Sequence, residues 1–194
     1  MKKIIFLFTI FATLPLFSQA NENTNHFKMV RDAVGDLNKD GLQDKVILSM
    51  NTKDATQPLK LQIFFLGQDR KFKSAFSSTE VFDPQYPNGK YGGNQVPDIH
   101  IENNNLIIYK EIGDVKEQQT FRFNKGKFEL IAISKVKWDG KETTIDTKID
   151  LLTGTVIEIT QILGSKKAKK NQKKITVNAL PTLENIRSFD VKIP

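Results

Sequence analysis

The amino-acid sequence predicts a mainly β protein, built from an antiparallel sheet arranged as a meander or a sandwich. Short runs rich in β-branched and aromatic residues recur between clusters of Gly, Asn and Asp, which is typical of strands joined by tight turns. Within 98–102 and 120–124, apolar and polar residues alternate with the period of two that a half-buried strand requires. A long Pro/Gly loop and a C-terminal tail complete the expected architecture.

The first twenty residues have the features of a secretory signal peptide. Lys2 and Lys3 precede an apolar run, and Ser18-Gln19-Ala20 offers small residues at a cleavage site. The run is about 13 residues long, shorter than the roughly 20 of a membrane-spanning helix. A permanent anchor is the alternative, but a polar segment follows at once. The sequence therefore predicts an exported protein, periplasmic or extracellular, that begins at Asn21 and has no transmembrane segment.

Turn residues divide the mature chain into strands. The segment 82–97 holds three prolines and three glycines and is expected to be a long irregular loop. We divide the chain into a signal peptide at 1–20, a β-rich domain at 21–164, and a lysine-rich segment with a C-terminal tail at 165–194. The predicted strands are 45–50, 59–66, 71–77, 98–102, 106–111, 120–124, 127–134, 143–151 and 155–162.

Composition restricts the classes of function. The full chain carries +7, and residues 1–20 contain two lysines and no acid, so the mature chain carries +5. Without the six lysines between 166 and 174 it would carry −1. This local excess argues against a dedicated nucleic-acid binder. The absence of cysteine excludes disulfides, thiolate zinc sites and cysteine nucleophiles, and two histidines cannot form a three-histidine metal site.

The most specific motif is a calcium-type loop at 36–44, which reads Asp-x-Asn-x-Asp-Gly-x-x-Asp. Oxygens at alternating positions of a tight loop can converge on one cation, and calcium takes about six to eight of them. A glycine after the third oxygen residue permits the sharp turn. The predicted ligands are the side chains of Asp36, Asn38, Asp40 and Asp44 and the carbonyl of Leu42. The alternative is an Asx-rich turn without a metal.

This loop resembles the short calcium loops of FG-GAP and VCBS-type repeats, in which such a segment leads into a strand. The resemblance covers 35–48, and a propeller of several repeats is not supported because one loop is present. Ile47 stands where an EF-hand has a glutamate, so the loop is not an EF-hand. The wider order of segments is similar to small exported bacterial proteins that carry a single such loop. That resemblance implies a shared fold but no established activity; it rests on 35–41, 63–67, 121–131, 151–154 and 166–174.

Weaker signals lie elsewhere in the chain. Asp98, His100 and Glu102 share one face of a predicted strand and are interpreted as the solvent face of an edge strand rather than a metal or acid–base site. The four aromatic residues Phe121, Phe123, Phe128 and Trp138 are expected in the core. The lysine run could contact an anionic surface or a glycan, although a solvated loop or linker is the simpler interpretation; its members are Lys166, Lys167, Lys169, Lys170, Lys173 and Lys174.

No catalytic motif is present in the sequence. It contains no nucleophile elbow, phosphate loop or metalloprotease helix, and no spacing singles out a pair of carboxylates. These features favour a non-enzymatic exported protein with one structural calcium loop, acting as a surface or periplasmic binding module. The alternative is an envelope hydrolase that uses paired carboxylates near the 82–97 loop.

Overall fold

The computed structural model describes residues 26–87 and 94–189. The predicted signal peptide and the middle of the Pro/Gly loop lie outside these residues. Regular structure in the described part of the chain consists of strands and one short 3₁₀ turn at Ile186–Ser188, which confirms the mainly β fold class. The strands are β1 (Phe27–Gly35), β2 (Asp44–Asn51), β3 (Leu59–Leu66), β4 (Phe72–Ser78), β5 (Asp98–Glu102), β6 (Asn105–Ile112), β7 (Val115–Asn124), β8 (Lys127–Trp138), β9 (Thr143–Asp150), β10 (Thr155–Ile162) and β11 (Ala168–Lys174).

The strands form two antiparallel meanders. The first sheet has four strands in the order β1-β2-β3-β4, and the second has seven in the order β11-β10-β9-β8-β7-β6-β5. Every hydrogen-bonded neighbour is also a neighbour along the chain, because tight turns join antiparallel strands without crossovers.

One continuous apolar core lies between the inward faces of the two sheets. In β2 and β3 the alternating residues Val46, Leu48, Leu61 and Ile63 are fully buried. The opposing face of the seven-stranded sheet contributes leucine, isoleucine and phenylalanine from β6, β7 and β8. The ring of Phe65 in β3 meets the seven-stranded sheet edge to face, with its centroid 4.8 Å from that of Phe123. Burial of this alternating set against a second sheet is what makes these runs strands.

The edge strands β1 and β5 bring the two sheets together at one side. Arg31 in β1 lies 3.6 Å from Asp98 in β5. Just after β1, the Asp36 carbonyl accepts a 2.7 Å hydrogen bond from the Asn104 side chain, which follows β5. These contacts fix the loop after β1 against the turn between β5 and β6.

The C-terminal segment packs back onto the seven-stranded sheet. Leu183 donates its backbone N–H to the Phe128 carbonyl at 3.1 Å, and Leu130 donates to the Pro181 carbonyl at 2.8 Å. Leu183 and Ile186 are buried in the core. Since β11 also pairs with β10, the boundary that we predicted between 164 and 165 falls inside one sheet.

Every predicted strand has a counterpart among β2–β10. The structure adds β1, β11 and the first half of β7. One aromatic prediction is wrong: Phe121 and Phe128 are buried, but Trp138 is 48% exposed, because the alternation that turns the buried Ile133 inward places Trp138 on the outward face of β8.

Candidate functional site

The Asp-rich loop at 36–44 is a network of side-chain to backbone hydrogen bonds. The Asp36 carboxylate accepts from the backbone N–H groups of Lys39 at 2.7 Å, Asp40 at 3.2 Å and Gly41 at 3.0 Å. Gly41 has a positive φ of 83°, which a glycine adopts without strain. The loop thus folds around the first carboxylate of the motif.

Asn38 and Asp40 lie side by side in this loop. The Asn38 amide donates to Asp40 Oδ2 at 2.9 Å, and the Asn38 side-chain oxygen accepts from the Asp40 backbone N–H at 3.0 Å. Asp40 Oδ1 accepts from the Leu42 N–H at 2.8 Å. Three of the predicted ligands therefore occupy one exposed loop, with their oxygens directed at backbone and side-chain donors.

Asp44 is separated from the other three by its burial. It is 0% exposed, and its carboxylate accepts from the Leu37 N–H at 2.8 Å and from the Leu66 N–H at 3.1 Å. Burial raises the pKa of Asp44 from its ordinary value, although these backbone hydrogen bonds oppose the effect. Both oxygens thus have protein donors, and the side chain joins the loop to the end of β3.

Within residues 26–87 and 94–189, no group of three or more His, Cys, Asp or Glu side chains is placed to hold a metal ion. Asp36, Asp40 and Asp44 do not converge on one point in this conformation. The loop does supply oxygen donors of the type that calcium prefers, since a carboxylate oxygen that accepts one hydrogen bond retains a second lone pair.

A second candidate site is a cleft of about 240 Å³ between the sheets, which we name the inter-sheet cleft. Strands β6, β7 and β8 contribute one side, and the segments 81–83, 94–97 and 186–189 contribute the others. Its apolar lining includes Leu59, Val81, Phe82 and Ile133. The volume is below the roughly 300–1,000 Å³ of pockets for drug-sized ligands, which restricts any occupant to a small molecule.

A charged cluster lies on the β-sheet side of the inter-sheet cleft. Glu117 in β7 is only 7% exposed and lies directly between Lys110 in β6 and Lys135 in β8. Lys110 Nζ is 3.2 Å from one carboxylate oxygen, and Lys135 Nζ is 2.9 Å from the other. The Gln119 side-chain amide donates to the same carboxylate at 2.8 Å. The cluster carries one net positive charge.

The pKa of Glu117 reflects these neighbours. Burial favours the neutral acid, but the charge of Lys110 and the hydrogen bond and charge of Lys135 outweigh it and hold the pKa of the Glu117 carboxyl below its ordinary value. The carboxylate is therefore ionised at neutral pH. It is a counter-ion for two lysines and not a proton donor.

Each of the other acids lining the inter-sheet cleft also has a cationic neighbour. Arg187 reaches Asp83 at 2.9 Å and Glu80 at 2.9 Å, and Lys116 lies 3.5 Å from Glu111. These pairs are more exposed than the Glu117 cluster. Both described ends of the predicted 82–97 loop, 82–83 and 94–97, line the inter-sheet cleft, whereas nothing in the sequence analysis predicts the Glu117 cluster.

The sequence held one signal for the Glu117 cluster. Glu117 and Gln119 continue the alternation of Phe121 and Phe123 towards the N terminus, so they share the inward face of β7. If the predicted strand at 120–124 is extended back to 117, the same alternation places Glu117 and Gln119 on the inward face.

The weaker predicted candidates lie on outer surfaces. Asp98, His100 and Glu102 are exposed on the edge strand β5, while Ile99 between them is buried. Most of the lysine run forms β11, the opposite edge of the same sheet. No helix in the described part of the chain is long and apolar enough to cross a membrane.

No protein-family model, curated protein or solved structure matches this chain.

Proposed function

We propose that this chain is an exported, non-enzymatic binding module and that its ligand site is the inter-sheet cleft. The observation that carries the proposal is the Lys110–Glu117–Lys135 cluster, in which two lysines share one carboxylate beside an apolar lining. The ligand class is a small amphipathic acid. Its carboxylate or phosphate would face the lysines, and its apolar part would contact Leu59 and Ile133.

The lining of the cleft as a whole has three basic and three acidic residues, but the Lys110–Glu117–Lys135 cluster has one net positive charge, which supports an anionic ligand at that side of the cleft. Each lysine ammonium has three donors, and one ion pair to Glu117 leaves the others available. In a partly desolvated cleft a hydrogen bond between charged groups is stronger than one between neutral groups. A neutral or cationic ligand would gain nothing from the excess positive charge.

The same charges argue against the hydrolase alternative. A general acid for glycoside or ester hydrolysis needs a carboxyl whose pKa is raised, so that it is protonated at the working pH. The pKa of Glu117 is lowered, and Asp83 is paired with Arg187. Glu117 is therefore an ionised carboxylate paired with two lysines, which suits ligand binding better than proton transfer.

Octanoate is a suitable probe for the cleft, with octanol and octylammonium as matched neutral and cationic probes. Two-dimensional NMR of the chain beginning at Asn21 should show octanoate-dependent shifts for amides of β7 and β8 that line the cleft. Lys135→Met should weaken binding by about tenfold, because it removes a charge-assisted hydrogen bond. Glu117→Gln should strengthen binding, because it removes the competing carboxylate.

Lys137→Met is the matched control, since Lys137 is an exposed residue of the same strand and does not line the cleft. It should bind octanoate as the native chain does. Equal affinity for octanoate and octanol, or the same response from all three variants, would refute recognition of an anion.

Export is part of the proposal and rests on the order of charged, apolar and small residues at 1–20. Mass spectrometry of the periplasmic or culture fraction should find a chain that begins at Asn21. A cytoplasmic chain that retains Met1 would contradict export.

We also propose that the Asp-rich loop binds one calcium ion as a structural element. The side chains of Asp36, Asn38 and Asp40 form hydrogen bonds in the exposed part of the loop, and together with the Leu42 carbonyl they could contribute oxygens. Asp44 could contribute only through lone pairs that its two backbone hydrogen bonds leave over. Bound calcium would supply rigidity to the loop and no chemistry to the inter-sheet cleft.

A further inference from the structure

Two hairpin turns lie next to each other at one end of the seven-stranded sheet. The β8–β9 turn follows Trp138, and the β10–β11 turn follows Ile162. Leu163 in the second turn donates its N–H to the Glu142 carbonyl in the first at 2.7 Å. We name residues 137–142 and 162–170 together the lysine-rich tip.

Three large apolar side chains of the lysine-rich tip are exposed. Trp138 is 48% exposed, Ile162 52% and Leu163 58%. Pairing of β8 with β9 and of β9 with β10 places Trp138 two strands away from Gln161, the residue before Ile162. Successive residues of a strand point to opposite faces of the sheet, so Trp138 lies on the outward face and Ile162 on the inward face at the same end of the sheet, with Leu163 in the turn that follows β10. The lysine-rich tip therefore exposes apolar side chains on both faces of the sheet.

Lysines flank these exposed apolar side chains in the lysine-rich tip. The lysine-rich tip contains six lysines and two acids, Asp139 and Glu142. The Asp139 carboxylate is already used within its own turn, where it accepts from the N–H groups of Lys141 and Thr143 at 2.9 Å each. In the described part of the chain, no lysine of the tip forms an ion pair with an acid; the six are Lys137, Lys141, Lys166, Lys167, Lys169 and Lys170.

We propose that the lysine-rich tip docks the protein on an anionic lipid bilayer. Trp138, Ile162 and Leu163 would enter the interface between headgroups and acyl chains, where tryptophan is favoured. The lysines would contact anionic headgroups while their aliphatic stems lie beside the exposed apolar side chains. This activity is separate from ligand binding in the inter-sheet cleft, which lies on the inward face of the sheet and uses other residues.

A bilayer fits the tip better than an acidic glycan or a nucleic acid. Either polyanion could pair with the lysines, but it would leave Ile162 and Leu163 exposed to water. A stack of bases would need several aromatic side chains, and the tip has only Trp138. An anionic bilayer has charged headgroups at its surface and acyl chains directly beneath them. Lysines and apolar side chains that lie side by side can therefore contact both layers at once.

The position of the chain's single tryptophan allows a direct test without substitution. The probe is a vesicle of phosphatidylcholine with or without phosphatidylglycerol, mixed with the chain beginning at Asn21, which retains every described residue. Phosphatidylglycerol vesicles should shift the Trp138 emission to shorter wavelength, and lipids brominated near the headgroup should quench it. High salt should weaken binding because it screens the lysines.

Variants separate the two contributions. Glutamine at Lys166, Lys167, Lys169 and Lys170 should weaken binding to phosphatidylglycerol vesicles in co-sedimentation by up to about 1,000-fold. Leu163→Ser should weaken it by about tenfold. The control is Leu152→Ser, since Leu152 is 51% exposed in the β9–β10 turn at the opposite end of the same sheet. It should bind as the native chain does.

Three outcomes would overturn the proposal. The first is an unchanged emission spectrum with phosphatidylglycerol vesicles. The second is equal weakening by Leu152→Ser and Leu163→Ser, which would mean that the position of the apolar residue does not matter. The third is binding to heparin or DNA that exceeds vesicle binding and is unaffected by Leu163→Ser, which would identify a polyanion site. Circular dichroism of each variant establishes that a loss of binding is not a loss of fold.

Discussion

Asp44 holds the Asp-rich loop to the end of β3 through two backbone amides. Its carboxylate is buried, and its partners Leu37 and Leu66 are 7 and 22 residues away in the sequence. The motif predicts Asp44 as a calcium ligand, whereas in this structure both carboxylate oxygens accept from backbone N–H groups. The distant Leu66 amide could not be anticipated, because it depends on the pairing of β2 with β3.

Asp44→Ala should destabilise the fold by about 2–4 kcal/mol, because it leaves one buried and one partly buried N–H group without acceptors. Urea unfolding would measure the loss. Asp44→Asn should destabilise the fold by less than Asp44→Ala does. Its amide oxygen can accept from one N–H, but its NH₂ group presents a donor to the other. The loss should be the same with chelator and with calcium if hydrogen bonding is the role of Asp44; a loss seen only with calcium would contradict that role.

Glu117 should make stability depend on pH at the acid end. Its folded pKa is below the ordinary 4.5, so its contribution is complete above about pH 4.5 and is lost as pH falls through the folded pKa. At pH 7, Glu117→Gln should cost about 1–3 kcal/mol. The difference between the native chain and this variant should shrink as pH falls to 3 in urea unfolding experiments.

Glu158→Gln is the control, because Glu158 is an exposed acid in the same cross-strand row as Glu117. Glu158→Gln should change the free energy of unfolding by no more than about 0.5 kcal/mol at every pH. The pH dependence from Asp44 has the opposite sign to that from Glu117. Its pKa is raised in the folded state, so its protonation in acid favours folding. A difference between native and Glu117→Gln chains that grows in acid would be incompatible with the lysine pairing.

The edge strands β1 and β5 depend on a close approach at Gly35. A Cβ built on Gly35 would lie 2.7 Å from Cγ2 of Ile101, so any larger residue requires one strand to move. Gly35→Ala should therefore destabilise the fold by about 1–3 kcal/mol. Ile101→Ala leaves space at this contact, and the double variant should be more stable than the sum of the single effects predicts. Additive effects in urea unfolding would show that the strands do not meet there.

How well the elements can be predicted depends on the local pattern of each strand. Strands β3, β5 and β10 alternate clearly between turn residues, and their predicted bounds agree with the structure. In contrast, β1 lacks the alternation because a bulge between Met29 and Arg31 shifts its register. Strand β11 contains one alanine and no larger apolar residue, so only its pairing with β10 makes it a strand.

The whole molecule brings together residues that no local pattern connects. The inter-sheet cleft joins β6–β8 to the segments 81–83, 94–97 and 186–189, and Arg187 pairs with Asp83 over 104 residues of sequence. The lysine-rich tip likewise brings Trp138 to a lysine run that follows it by about thirty residues. The run contains no aromatic residue, so its own sequence gives no sign of this neighbour. Sequence therefore predicted the fold class and the Asp-rich loop, while both surfaces arise from strand order.

Calcium binding by the Asp-rich loop would link this local network to global stability. Asp36 and Asp40 could keep their bonds to backbone N–H groups and turn their remaining lone pairs to the ion. The Asn38 amide would have to turn its oxygen towards the ion, because its N–H now donates to Asp40 Oδ2. This rearrangement, and the absence of a glutamate at the twelfth position, indicate weak affinity, with Kd on the order of 10⁻⁴–10⁻³ M.

At a calcium concentration ten times Kd, binding should stabilise the fold by about 1.4 kcal/mol, provided that the unfolded chain does not bind. Magnesium should do less, because it requires a tighter octahedron and retains its waters. Thermal unfolding with chelator and then with millimolar calcium measures the effect. The variant with Asp36→Ala and Asp40→Ala should lose it, whereas Asp69→Ala, which alters an acid in another turn, should retain it. If the native chain shows neither a shift in Tm nor a heat of calcium binding in calorimetry, the loop is an Asx-rich turn whose carboxylates serve only backbone amides.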